Sequence, residues 1–272
     1  MPTLVREGAD IHYAVAGSGE PAFVFVHGFT CALDDWRGQM SALADQHRVT
    51  ALDLRCHGAS TGTPEHCTME SLSADVVALV RALDLREAVL VGHSMGCRLV
   101  LQASADEPAR VAGVVLIDGS NRGDAGMGDV EAAHRAAIAA AGGYAAFTRG
   151  QFAEMFVSRT PQAERIVARA LALPEAVGVP LYARMTRWDA VWLRDVLARL
   201  RVPLLAMQST MLTPERKRVS LHAGDQVPWL ELLRAHYART STAIVPGVGH
   251  FTMLDAPATV NRLLREFAAQ IG

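Results

Sequence analysis

The sequence predicts an α/β protein: a mostly parallel sheet with helices on both faces, interrupted by a helical insertion. Three observations lead there. Short apolar runs alternate with helix-period patterns through most of the 272 residues, the pattern of strands buried on both faces and linked by helical crossovers. The apolar run Ala88-Val89-Leu90-Val91 is followed by Gly92-His93-Ser94-Met95-Gly96 and then by a helical pattern, which reads as strand, sharp turn and helix. Between Gly119 and Arg201 the strand signals vanish and an Ala- and Arg-rich helical periodicity replaces them.

In chain order, strands are expected near residues 11–16, 22–27, 48–52, 88–91, 113–117, 202–208 and 243–245. The first two are placed as an antiparallel hairpin through Gly17-Ser18-Gly19-Glu20-Pro21, because glycine and proline punctuate the turn. Helices are expected over 34–45, 69–83, 94–106, 229–239 and 256–270. In the last, Val260, Leu263, Leu264 and Phe267 recur at helical spacing and mark a core face. The insertion carries helical periodicity over 130–141, 144–159, 163–173 and 180–199. The chain therefore divides into sheet domain 1–118, helical cap 119–200 and sheet domain 201–272, with the cap over the active-site end of the sheet. Gly119, Gly123, Gly126 and Gly128 make a flexible entry to the cap.

Composition removes several classes of function. Half the residues are hydrophobic and a fifth charged, the balance of a globular chain with a sizeable core. A net charge of -2 without a dense Lys/Arg run offers no footprint for nucleic acid or an anionic membrane. The first residues, Met1-Pro2-Thr3-Leu4-Val5-Arg6-Glu7, hold charges where a signal peptide is apolar, and the weakly polar stretch 136–147 is well short of the ~20 residues of a membrane span. A soluble cytoplasmic protein is expected. Cys31, Cys56, Cys67 and Cys97 lack C-x-x-C spacing and are expected as free thiols. The ten histidines form no metal-ligand pattern, so neither metal nor cofactor is expected.

The pentapeptide nominates Ser94 as a nucleophile. A serine hydroxyl attacks only when a general base is held beside it, so the fold must expose the oxygen on a tight turn. Strand and helix pack closely there, and side chains two positions before and after the serine would clash. Both positions are glycine. The helix beginning at Ser94 also turns its free N–H groups toward the reacting centre, where negative charge develops.

Four segments together resemble the α/β-hydrolase fold superfamily over essentially the full length and in the order that family uses. The elbow around Ser94 is one. His27-Gly28-Phe29-Thr30 is similar to the family's oxyanion loop, which implies the backbone N–H groups of Phe29 and Met95 as oxyanion donors. Asp53-Leu54-Arg55-Cys56-His57-Gly58-Ala59-Ser60 resembles the family's D-x-R-G-H-G-x-S loop, with Cys56 where glycine is usual. In the family that loop is structural, so Asp53, Arg55 and His57 are expected to hydrogen-bond rather than to catalyse. Pro246-Gly247-Val248-Gly249-His250-Phe251 looks like the loop with the catalytic histidine. Its pKa of ~6.5 lets an imidazole take and return a proton near neutrality, so His250 is the expected base.

The triad acid departs from the common pattern. Most members of the family place an aspartate shortly after the strand at 202–208, where this chain has Gln208-Ser209-Thr210-Met211-Leu212-Thr213 and no carboxylate before Glu215. Asp118, at the end of strand 113–117, matches the position some members use, and Asp225 in Gly224-Asp225-Gln226-Val227-Pro228 resembles the common motif in local letters. Orienting an imidazole demands a rigid strand end, which favours Asp118 and leaves Asp225 as the alternative. Trp36, Tyr144, Phe147, Met155, Trp188 and Trp192 are expected to line the substrate pocket, with Phe152, Phe156, Tyr182 and Met185 as further candidates. The resemblance implies a cofactor-free serine hydrolase of carboxylic esters, with lactones such as acyl-homoserine lactones as a narrower expectation. Thioesterase, C–C bond hydrolase and perhydrolase activities share the same triad, and a slow-turnover receptor of the same fold is the alternative from another class.

Overall fold

The computed structural model describes all residues except 124, 125, 214, 216 and 272. The chain opens with strands β1 (Thr3–Arg6), β2 (Ala9–Ala16) and β3 (Ala22–Val26), followed by helix α1 (Arg37–Leu43) and β4 (Val49–Leu52). Then come α2 (Met69–Ala82), β5 (Ala88–His93), α3 (Met95–Asp106) and β6 (Val111–Ile117). The insertion supplies α4 (Val130–Ala140), α5 (Tyr144–Ala153), α6 (Pro161–Ala172), α7 (Glu175–Val191) and α8 (Leu193–Arg199). The chain closes with β7 (Leu204–Gln208), β8 (Thr210–Leu212), β9 (Arg218–Ser220), α9 (Pro228–His236), β10 (Thr240–Ile244), α10 (Thr252–Asp255) and α11 (Pro257–Ile271).

Eight strands form one sheet in the order β1-β2-β4-β3-β5-β6-β7-β10. The six from β4 to β10 in that order run parallel, and β1 and β2 are antiparallel additions at one edge. The period of two along each strand sends alternate side chains to opposite faces. Val24, Val26, Leu90, Val114, Leu116, Leu204 and Ala206 enter one core with α2, α3, α8 and α9. Phe23, Phe25, Val89, Val91, Val115, Ile117, Leu205 and Met207 enter the other, against α1 and the Val260, Leu264 and Phe267 face of α11. Burial on both sides explains why these strands are continuously apolar rather than alternating.

The expected hairpin between the first two strands does not form. β2 pairs with β1 and β4, and β4 separates it from β3. The Gly17–Pro21 loop thus joins strands that are not neighbours, and glycine and proline cannot distinguish that loop from a hairpin turn. The glycines entering the insertion are also not a hinge throughout. A Cβ on Gly119 would lie 2.7 Å from the Trp229 ring nitrogen, and one on Gly123 would lie 2.3 Å from the Thr186 carbonyl, so both serve close packing. Among the described residues no single helix is long and apolar enough to cross a membrane.

Candidate active site

The turn between β5 and α3 is set by close backbone packing. A Cβ on Gly92 would sit 2.4 Å from the Gly96 carbonyl oxygen, and one on Gly96 would sit 2.3 Å from the Val26 carbonyl oxygen. Only glycine lets the helix start so close to β3 and β5. Ser94 takes φ +53 and ψ -112, a conformation disfavoured for a residue with a Cβ. It lifts the hydroxyl out of the sheet into a chamber lined by Phe29, Arg98, Tyr182, His250 and their neighbours. Gly28 approaches from the facing loop, where a Cβ would come within 3.0 Å of the Ser94 Cβ.

Ser94, His250 and Asp118 form a hydrogen-bonded row. Ser94 Oγ–H donates to His250 Nε2 over 2.9 Å, and His250 Nδ1–H donates to Asp118 Oδ2 over 2.5 Å. Asp118 is fully buried. Its carboxylate also accepts from the Ser209 N–H at 2.9 Å, the Thr210 N–H at 2.7 Å, the Thr210 hydroxyl at 2.5 Å and the Arg218 guanidinium at 3.1 Å. Burial alone would raise its pKa, but His250, Arg218 and Thr210 outweigh that and hold it at about 2. For His250, burial and the positive charge of Arg218 push the pKa down against the pull of Asp118. The imidazole is therefore neutral near pH 7, the form that accepts a proton.

Asp225 is not part of this row. Its Oδ2 accepts the His222 N–H over 2.8 Å, closing a local turn. The loop after β7, without a carboxylate of its own, instead turns Ser209, Thr210 and, through the β8–β9 hairpin, Arg218 onto Asp118. Sequence reading missed these three. The missing carboxylate itself was the signal for Ser209 and Thr210, because hydroxyl residues stand where the acid is usual. Arg218 had no such signal.

The N–H groups of Phe29 and Met95 donate to no acceptor among the described residues. Met95 opens α3, where N–H groups have no intrahelical partner. His27 stays in the wall, accepting the Leu54 N–H at Nε2 over 3.0 Å. In the loop after β4, Arg55 pairs bidentately with buried Asp75 at 2.7 Å, and Asp53 accepts the Leu33 and Ala59 N–H groups. Cys56 adopts φ +63, so the backbone keeps a glycine-like conformation despite its side chain.

Of the expected pocket residues, Met155 lines the Ser94 chamber, as do Phe152, Tyr182 and Met185. The others lie elsewhere. Trp36 is wholly buried beside Phe25 in the core under the sheet. Trp188 packs between α7 and α3, where its ring N–H donates to Gln102, and Trp192 is 49% exposed. Tyr144 packs against Gly178, and Phe156 stacks on Phe251. Phe147 borders an outer cleft of about 720 Å³ with Arg122, His134, Gln151 and Tyr182. Residue type alone did not separate aromatics that line a cavity from those in the core or on the surface. A cleft of about 780 Å³ between the start of α4 and α7 contains no residue of the Ser94 row.

The chain belongs to the alpha/beta hydrolase fold family, whose model matches residues 21–221. It is similar to a non-heme chloroperoxidase of Streptomyces lividans, 43% identical over 118 residues that cover 41% of this chain and 41% of that protein. This chain spans about a fifth to a half of the length of the curated relatives it matches. A thermophilic esterase from Thermogutta terrifontis has the same fold with a TM-score of 0.78 at 23% identity, covering 97% of this chain and 94% of that one. An N-acyl homoserine lactone degrading enzyme does so with a TM-score of 0.76 at 24% identity, over 98% and 100% of the two chains.

Proposed function

We propose that the protein is a serine hydrolase of carboxylic esters, working through an acyl-enzyme on Ser94 with a helical cap formed by residues 119–200. The observation that carries this reading is the row Ser94–His250–Asp118, with distances of 2.9 and 2.5 Å. Ser94 Oγ attacks the ester carbonyl as His250 Nε2 removes its proton. Asp118, kept ionised by its donors, fixes the imidazole tautomer and stabilises the imidazolium. The Phe29 and Met95 N–H groups hold the oxyanion, and preorganised donors of this kind stabilise the tetrahedral state more than the planar carbonyl. His250 then returns the proton to the leaving alcohol, and water repeats the sequence on the acyl-enzyme.

A serine at the elbow favours this route over epoxide opening, which uses a carboxylate nucleophile there. Phe29, Phe152, Met155, Met185 and Phe251 surround Ser94 with apolar surface, which suits an apolar part of the acyl or ring group, lactones included. The test is turnover of short and medium p-nitrophenyl esters by the protein and by Ser94→Ala. Sustained release of p-nitrophenol that disappears in the variant is expected. A single burst without turnover overturns the enzyme reading in favour of a slow receptor.

A further inference from the structure

The chamber at Ser94 is small, about 30 Å³, enough for a scissile group and little else. An outer cleft of about 720 Å³, the dimensions of a ligand site, lies next to it. The two spaces share three lining residues, Arg122, Gln151 and Tyr182. These three residues form the boundary, or neck, between the chamber and the cleft.

The neck is cationic. Among the described residues the walls of the Ser94 chamber carry Arg98 and Arg122 and no carboxylate. Arg98 is already paired, bonding Asp189 bidentately at 2.7 and 2.5 Å. Arg122 has no described carboxylate within ion-pair distance. Its guanidinium donates through Nη1 to the Tyr182 hydroxyl over 2.7 Å and lies 5.6 Å from the centre of that ring. The Tyr182 O–H, accepting from Arg122, keeps its own proton to donate.

The Tyr182 ring holds this pair in place, with Phe29 of the inner chamber edge-on at 6.2 Å and His134 of the outer cleft stacked at 4.1 Å. His134 stays neutral beside it, since burial and the Arg122 charge push its pKa down to about 4. Asp129 at the cleft rim is engaged as the N-cap of α4. A half-buried guanidinium with no carboxylate partner among the described residues, beside a phenol that keeps its proton, is a two-donor receptor for an anion.

We infer that the substrate is an ester or lactone bearing a carboxylate, held by Arg122 and Tyr182 at the neck between the Ser94 chamber and the outer cleft. The inference rests on the serine hydrolase reading above. It makes Arg122 the residue that selects for charge, while the apolar wall accepts the chain between the carboxylate and the scissile carbonyl.

The experiment compares matched esters of opposite charge type. p-Nitrophenyl hemiadipate carries the anion on the acyl side, with the hexanoate as its neutral counterpart. 4-Acetoxybenzoate carries it on the leaving group, with 4-acetoxybenzamide as counterpart. Rates are normalised to spontaneous hydrolysis. The unaltered protein is expected to prefer the anionic member of one pair in kcat/KM, and the pair identifies which side of the ester faces Arg122. In Arg122→Gln that preference ratio falls about 10- to 100-fold, the scale of a lost hydrogen-bonded ion contact. Arg122→Lys restores part of it, and Tyr182→Phe lowers it by a smaller factor. Absence of any anionic preference in the unaltered protein overturns the inference without needing a variant, as does a ratio unchanged in Arg122→Gln. Ser94-dependent turnover of the neutral esters in that case leaves the hydrolase reading standing, whereas no Ser94-dependent turnover of any ester overturns both.

Discussion

The β5–α3 turn and the helical insertion meet at one chamber, but they are held by different forces. The turn is a matter of short-range sterics: Gly92 against the Gly96 carbonyl, Gly96 against the Val26 carbonyl, and Ser94 at a positive φ. The insertion is docked by partners far away in sequence, through apolar packing of Leu181, Met185 and Val196 into one core and Phe152 and Ile166 into the other, and through long-range polar contacts. Arg169 of α6 bonds Asp35 at 2.5 Å, Arg184 of α7 donates to the Cys67 carbonyl at 2.7 Å, and Asp189 of α7 receives buried Arg98 of α3. The His250 N–H donates to the Met155 carbonyl at 2.8 Å, tying the insertion to the histidine loop. Geometry made by neighbours in sequence is written in residue identity. Geometry made by partners about 90 to 140 positions away, as in the Arg98–Asp189 and Arg169–Asp35 pairs, depends on the whole fold.

The contrast is sharpened most by the two candidate acids. Asp118→Asn is expected to lower kcat by roughly 10³-fold or more, since an amide cannot stabilise the imidazolium or enforce its tautomer. Asp225→Asn should stay within about twofold, because that side chain closes a local turn. Steady-state kinetics on both folded variants checks this, and loss confined to the Asp225 variant would falsify the assignment.

Next in size is the docking of the insertion. Asp189→Asn leaves Arg98 charged and buried without its partner, with an expected loss of about 3–5 kcal/mol in urea unfolding. A change below about 1 kcal/mol would mean that the bridge does not hold α7 to α3. The local side of the comparison is probed by Gly96→Ala. Its Cβ would meet a backbone oxygen that cannot rotate away, and overpacking of this kind costs about 1–3 kcal/mol. A variant as stable as the parent would show that the turn relaxes.

The smallest effect expected is on pH. The acid limb of kcat/KM follows the protonation of the free-enzyme base. Burial and Arg218 lower the His250 pKa, so that limb should lie below the ordinary histidine value of ~6.5. Arg218→Gln removes one of the lowering causes, and the limb should move to higher pH. A limb that stays in place or moves down would exclude Arg218 as a cause.

Much of this was legible in the sequence, for reasons visible in particular residues. The runs 22–26, 88–91 and 113–117 are apolar at both parities, so their burial on two faces needed no tertiary information. Asp118 stood out because an aspartate ends such a run. The edge of the sheet was harder to read. β1 is Thr3-Leu4-Val5-Arg6, half exposed and too short to show a period, and β2 gave no sign that β4 would come between it and β3. The pocket residues were the weakest part, because an aromatic residue such as Trp36 or Trp188 serves a core as well as a pocket wall, and its type does not say which.

By itself the sequence determined the parallel core, the turn at Ser94 and the order of the segments that approach it, because each depends on contacts or periodicities within a few residues. Tertiary structure alone decided which aspartate meets His250, which side chains wall the chamber, and that Arg122 stands at its neck without a described carboxylate partner. Those outcomes depend on where strand ends and inserted helices come to rest relative to one another. That placement is set by packing across the whole molecule, and no local stretch of sequence encodes it.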